Sequence, residues 1–132
     1  MPQMQTLVLT DRATTPVNHT FQPRSIQGNV GEVVESTGVP LGDSRATISL
    51  VKTSGGRYKA VFKLEVPVVQ NATINGVTTP TVVRKAYAEC TFSFDGSSSE
   101  QERNDIVGML ASGLATNKTL IHDTIVKLQG VY

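Results

Sequence analysis

Two stretches of this chain alternate residue by residue: positions 57–67 (RYKAVFKLEVP) and 83–94 (VRKAYAECTFSF). In the first, Tyr58, Ala60, Phe62, Leu64 and Val66 oppose Lys59, Val61, Lys63 and Glu65. In the second, Arg84, Ala86, Ala88, Cys90, Phe92 and Phe94 oppose Val83, Lys85, Tyr87, Glu89, Thr91 and Ser93. Successive side chains on a pleated strand leave opposite faces, so period two predicts strands with two unlike sides. One side is built for a core. The other carries lysines and a tyrosine, and its purpose is the functional question.

Further strands precede these two. Residues 5–10 (QTLVLT) and 18–23 (NHTFQP) read as a hairpin around a polar loop containing Pro16, and residues 30–37 (VGEVVEST) as a third strand ended by Gly38 and Pro40. Residues 45–52 (RATISLVK) alternate again and lead through TSGG into the stretch at 57–67, a hairpin signal. Pro67 is expected to weaken or end that strand, since it has no N–H to give a ladder. Residues 68–80 (VVQNATINGVTTP) read as a long polar connection with Asn75-Gly76 at its tip, longer than small sheets normally use.

After Phe94 the pattern turns helical. Ser99 and Glu102 make a capping box, with Glu100 and Glu102 in the first turn where the helix dipole favours them. Ile106, Met109, Leu110 and Leu114 then recur at helical spacing. A second helix is expected from Asn117 or Thr119, with Leu120, Ile121, Thr124, Ile125 and Leu128 on one side and Gly130 ending it. The expectation is one α+β domain over residues 1–132: an N-terminal β-hairpin, an antiparallel sheet and two C-terminal helices. Two short helices cannot cover the apolar face of such a sheet, and an open face of that size would aggregate. A symmetric homodimer, with the helices of each chain over the sheet of the other, resolves this.

Composition narrows the function. A chain of 132 residues buries enough surface to fold without disulfides, and its single cysteine, Cys90, could form none internally. Cys90 falls on the apolar side of its strand and reads as a small core residue. No apolar run is long enough to span a membrane, and the N-terminus has no secretion-signal pattern. The only histidines, His19 and His122, have no sequence neighbour completing a nucleophilic or metal arrangement, so each is expected at a surface or a helix end. The acidic residues are scattered and no phosphate-loop pattern is present. The expectation is therefore a protein that is not an enzyme, with no cofactor, no metal and no small-molecule substrate.

The polar side remains. Arg45, Thr47, Ser49 and Val51 join Lys59, Val61, Lys63 and Glu65, and Lys85, Tyr87, Glu89 and Thr91; their charges sum to +2 against +1 for the whole chain. Antiparallel sheets commonly keep one wet face, and this one can be read so. It can also be read as a nucleic-acid platform, with cations for phosphates, Tyr87 for base stacking and hydroxyls for base edges.

The ordered series TLVLTDR (6–12), NVGEVVESTGVP (29–40), RYKAVFKLEVPVV (57–69), VRKAYAECTFSF (83–94), ERNDIVGML (102–110) and GVY (130–132) resembles the coat proteins of the small single-stranded RNA bacteriophages, the leviviruses, over essentially the whole chain. The resemblance implies an N-terminal hairpin, a five-stranded antiparallel sheet and two helices interlocking with a partner. It implies ninety dimers closing a T=3 icosahedral shell in the bacterial host cytoplasm, with residues 68–80 changing shape around its symmetry axes. It also implies that the sheet face lines the virion interior and binds a genomic RNA hairpin, repressing replicase translation and marking the genome for packaging. On this resemblance Lys63 contacts phosphate and adenine, Thr47 and Ser49 supply pocket hydroxyls, Val30 forms a wall, and Tyr87 stacks a base. Arg45 and Lys59 contact the RNA backbone, and Lys85 is a further RNA-binding residue. Val61 stands where relatives carry threonine, and Glu89 where they carry asparagine or aspartate, so the preferred hairpin is expected to differ. The alternative reading is a dimeric RNA-binding regulator that forms no shell.

Overall fold

The computed structural model describes residues 2–132, which fall into two compact units, residues 2–93 and 94–132. The first unit and Phe94 supply six strands in the order β1 to β6: β1 (Leu7–Thr10), β2 (Asn18–Gln27), β3 (Val30–Glu35), β4 (Ser44–Lys52), β5 (Tyr58–Ile74) and β6 (Val77–Phe94). Every strand follows its sequence neighbour, so all crossings are short. The sheet exceeds the expected five strands by counting β1, which pairs only with the start of β2 (Leu7 opposite Phe21, Thr10 opposite Asn18).

β2 runs four residues past the expected end at Pro23. It does so through an irregularity in register: Pro23 opposes Val33 and Ser25 opposes Glu32, which leaves Arg24 as the extra residue. A bulge is where a strand tolerates a proline and bends. The bend divides β2 between β1 and β3, and Phe21 from its first half packs with Val33 and Ala46 as the buried cluster. Met4, Leu7, Leu9, Phe62 and Leu64 pack around it. Ala46 is 1 % exposed and Phe21 2 %. The small Ala46 opposite Val33 and Leu64 leaves room for the phenyl ring.

A charged fastening accompanies this core. Asp11 Oδ1 accepts the backbone N–H groups of Ala13 and Val17, closing the loop between β1 and β2. Its other oxygen lies 2.7 Å from His19 Nε2, while His19 Nδ1 lies 2.8 Å from Glu35 Oε2 on β3. Both ring nitrogens face carboxylates, so both must donate, which only the imidazolium does. The hydrogen bonds to Asp11 and then Glu35 raise the His19 pKa, and the Val17 N–H and His19 draw Asp11 down to about 2. His19 is at the surface, with 37 % of its side chain exposed, and there it links the loop, β2 and β3.

Residues 68–80 are also not a loop. β5 and β6 continue through them, and only Asn75 and Gly76 turn, at φ 53° and 79°. Positive φ at both central residues is the signature of a type I′ hairpin turn, whose twist matches the strands it joins. Pro67 does not end β5 because it lies two residues beyond the last pair with β4, Arg45 opposite Glu65. The β4 ladder therefore loses no hydrogen bond to it. Beyond β4, the 3-10 turn Pro40–Gly42 lies beside β5: a Cβ added to Gly42 would meet Val69 Cγ2 at 3.0 Å.

The second unit contains α1 (Glu100–Gly113) and α2 (Thr119–Ile125). Ser99 caps α1, its Oγ accepting from Glu102 N at 3.2 Å. α2 stops before the expected Gly130. Leu128 takes the left-handed conformation (φ 57°), and Gln129 N donates to Asp123 O. His122 lies in the last turn of α2, at a helix end. Neither helix contains a buried residue, and Met109 is 67 % and Leu120 71 % exposed. The apolar side of the sheet is likewise open beyond the Phe21 cluster, with Ile48, Leu50 and Val66 exposed and Cys90 half-buried. No described helix is long and apolar enough to cross a membrane.

Candidate nucleic-acid interface

The register of β3, β4 and β5 arranges the polar side in rows. Glu32, Thr47 and Lys63 stand abreast; Val30, Ser49 and Val61 form the next row; Val34, Arg45 and Glu65 flank on the other side. Lys59, opposite Val51, lies beyond the Ser49 row. Neighbouring strands are ~4.8 Å apart and alternate residues ~6.7 Å along a strand, close enough for one nucleotide to touch two rows.

β6 brings Tyr87 and Glu89 to the same side. With Glu32, Arg45, Thr47, Lys63 and Glu65 they line one shallow depression of about 480 Å³. Five residues singled out from sequence therefore converge: Arg45, Thr47, Lys63, Tyr87 and Glu89. Tyr87 is 72 % exposed, so its ring is open to a stacking partner, whereas Thr47 and Ser49 are half-buried between taller neighbours. Val30, Ser49, Val61 and Lys59 belong to the adjoining rows and not to the depression itself. Lys85 stands at its edge, with Nζ 3.3 Å from Glu65 Oε1.

Glu32 was not singled out for this face. The signal was available, since Glu32 shares the strand parity of Val30, and its row with Thr47 and Lys63 follows once β3 and β4 are paired. Its carboxylate changes the charge: four cations (Arg45, Lys59, Lys63, Lys85) now stand against three carboxylates (Glu32, Glu65, Glu89). The face is weakly basic at most. It suits a ligand recognised by stacking and hydrogen bonds as well as by charge.

No group of three or more His, Cys, Asp or Glu side chains among the described residues is arranged to hold a metal ion.

An antiparallel sheet followed by two C-terminal helices is also the fold of bacteriophage capsid proteins. The family described as Levivirus coat protein matches residues 2–132, and the chain belongs to it. The capsid protein of Pseudomonas phage PRR1 is 61% identical over 130 residues, covering 98% of this chain and 99% of that one. The capsid protein of Escherichia virus Qbeta is 35% identical over 97% of this chain and 87% of its own length. Among solved structures, the capsid protein of bacteriophage GA superposes with a TM-score of 0.83 at 27% identity, covering 98% of both chains. The virus-like particle of bacteriophage ESE058 gives 0.86 at 25% identity, covering 99% of this chain and 100% of that one. The family is one of structural shell proteins, not of enzymes.

Proposed function

We propose that the chain is a virion shell subunit that also reads RNA. Two copies pair symmetrically, ninety pairs close a T=3 shell in the bacterial cytoplasm, and the polar sheet face binds a hairpin of the genome, repressing replicase translation and selecting that RNA for packaging. The observation that carries the RNA part is the convergence of Arg45, Thr47, Lys63, Tyr87 and Glu89 on one depression. Cations, hydroxyls and an exposed ring within one surface match the needs of an unstacked base and its phosphates. Pairing is supported by the apolar side chains each unit leaves open, Ile48 and Leu50 on the sheet and Met109 and Leu110 on α1. Such surfaces in a soluble protein require a partner. Within the shell, Arg45, Lys59 and Lys63 meet phosphates, Val30 and Val61 wall the base pocket, Ser49 offers a second hydroxyl, and Lys85 stands at the edge of the face, paired with Glu65.

The test is expression of the protein alone in bacteria, followed by gel filtration, electron microscopy and absorbance at 260 and 280 nm. Closed spheres with a nucleic-acid spectrum are expected. A dimer that stays a dimer after genomic hairpin RNA is added would refute the shell function. Spheres assembled from variants lacking Lys63 and Tyr87 with unchanged RNA selectivity would refute the assigned face.

A further inference from the structure

Resting on the RNA-binding reading above, we infer that Glu65 sets the selectivity of the polar face by withholding Lys85 from phosphate. The observation is an asymmetry among the four cations. Arg45, Lys59 and Lys63 make no ion pair among the described residues, whereas Lys85 is held by Glu65 at 3.3 Å. Glu65 also stands directly across the ladder from Arg45, so its charge sits between two cations that a backbone would approach.

The consequence differs between ligands. An RNA that engages only through its backbone finds Arg45, Lys59 and Lys63 available but must displace Glu65 to reach Lys85. Doing so leaves a carboxylate unpaired beside a phosphate, with Glu32 and Glu89 lining the same depression. A hairpin anchored through Tyr87 and the hydroxyls of Thr47 and Ser49 keeps those contacts whether or not Lys85 joins. Glu65 therefore weakens arbitrary RNA more than fitted RNA, which is how repulsion creates specificity. The pair is exposed, 43% at Lys85 and 33% at Glu65, so it is weak and exchanges readily. It acts as a brake on the face without locking it.

The test uses full-length protein and two probes: an oligouridylate, and the tightest hairpin that wild type selects from a library of randomised loops. For Glu65→Gln, oligouridylate binding is expected to tighten on the order of 3- to 10-fold at low salt, with a salt slope steeper by about 0.7 for one more neutralised phosphate of a single strand. The gain should shrink about 2.6-fold between 50 and 200 mM salt. The hairpin should gain less, so discrimination between the probes narrows. Lys85→Gln alone should leave oligouridylate binding within about 2-fold of wild type, because that lysine is already engaged, and Glu65→Gln with Lys85→Gln should lose the gain. An unchanged oligouridylate affinity and slope in Glu65→Gln would overturn the inference. So would a double variant that keeps the gain, since the effect would then be loss of a carboxylate and not release of Lys85. If wild type binds neither probe, the RNA-binding reading fails and takes this inference with it. If wild type binds and Glu65→Gln behaves identically, only the inference fails.

Discussion

Replacing Phe21 by alanine tests the junction on which the first unit is built. The ring is 2 % exposed and clusters with Val33 and Ala46, and Met4, Leu7, Leu9, Phe62 and Leu64 pack around that cluster. Val33 and Ala46 belong to the regular β3–β4 ladder and cannot close a void without breaking register. Leu7 and Leu9 sit on β1, which pairs only with β2 and can subside. The cavity is thus relieved from one side only, which places the cost at about 3–4 kcal/mol, within the usual range for Phe→Ala. In urea, with a slope of roughly 2 kcal/mol/M, the midpoint should fall by roughly 2 M. Unfolding would be followed by far-UV circular dichroism at one fixed subunit concentration, because self-association adds concentration-dependent stability. Val8→Ala, at a side chain 52 % exposed on the same hairpin, serves as the control and should change stability by less than about 0.5 kcal/mol. If Phe21→Ala shifts the midpoint no further than Val8→Ala at an unchanged slope, the hairpin is not held to the sheet through this ring.

Four further outcomes are expected. Lys63→Ala should weaken hairpin binding and lower its salt slope by about one, and Tyr87→Ala should cost about 1–3 kcal/mol of binding; unchanged titrations would remove either residue from the site. Gly76→Val places a β-branched residue at φ 79° and should cost about 1–2 kcal/mol in the same urea assay, so a neutral result would contradict the turn geometry. The His19 fastening has a defined pH window. His19, raised above 6.5 by Asp11 and Glu35, stabilises fully below 6.5 and progressively less as pH climbs through its folded-state value. Asp11, lowered to about 2, stabilises fully above 3.8 and loses this as pH falls toward 2. The stability difference between wild type and His19→Gln should therefore be largest between pH 3.8 and 6.5 and shrink in alkali; a difference independent of pH would refute the ionic fastening.

The two faces of β4, β5 and β6 were legible because alternation is a local property and needs no knowledge of partners. The α1 start was legible for the same reason, since Ser99 and Glu102 lie within one turn. Residues 68–80 misled because Gln70, Asn71, Thr73, Thr78 and Thr79 give no apolar contrast. Most of that hairpin is open to solvent on both sides, so burial imposes no pattern there. Pro67 and Pro23 reinforced the error. Their tolerance depends on where the neighbouring ladder ends or bulges, which is a property of pairing and not of composition. The His19 fastening was invisible because Asp11 and Glu35 lie 8 and 16 residues away, a spacing that belongs to no periodic element. Glu32 was missed for a narrower reason: its strand parity was in view, but its row was not.

The rows also tie the polar face to the fold. Ala46 is buried under Phe21 while Thr47, its neighbour, faces the depression, and the same step separates Leu64 from Lys63. A slip of one residue between β4 and β5 would send Thr47 into the core and expose Ala46, exchanging every pair along the ladder. The packing of Phe21 against Ala46 and Leu64 therefore holds the register that sets Thr47 beside Lys63 and Arg45 beside Glu65. The polar face thus inherits its geometry from a core on the opposite side of the same strands. The polar face is consequently easiest to vary at positions such as Val61 and Glu89, where a side chain can change without any change in what the strand buries.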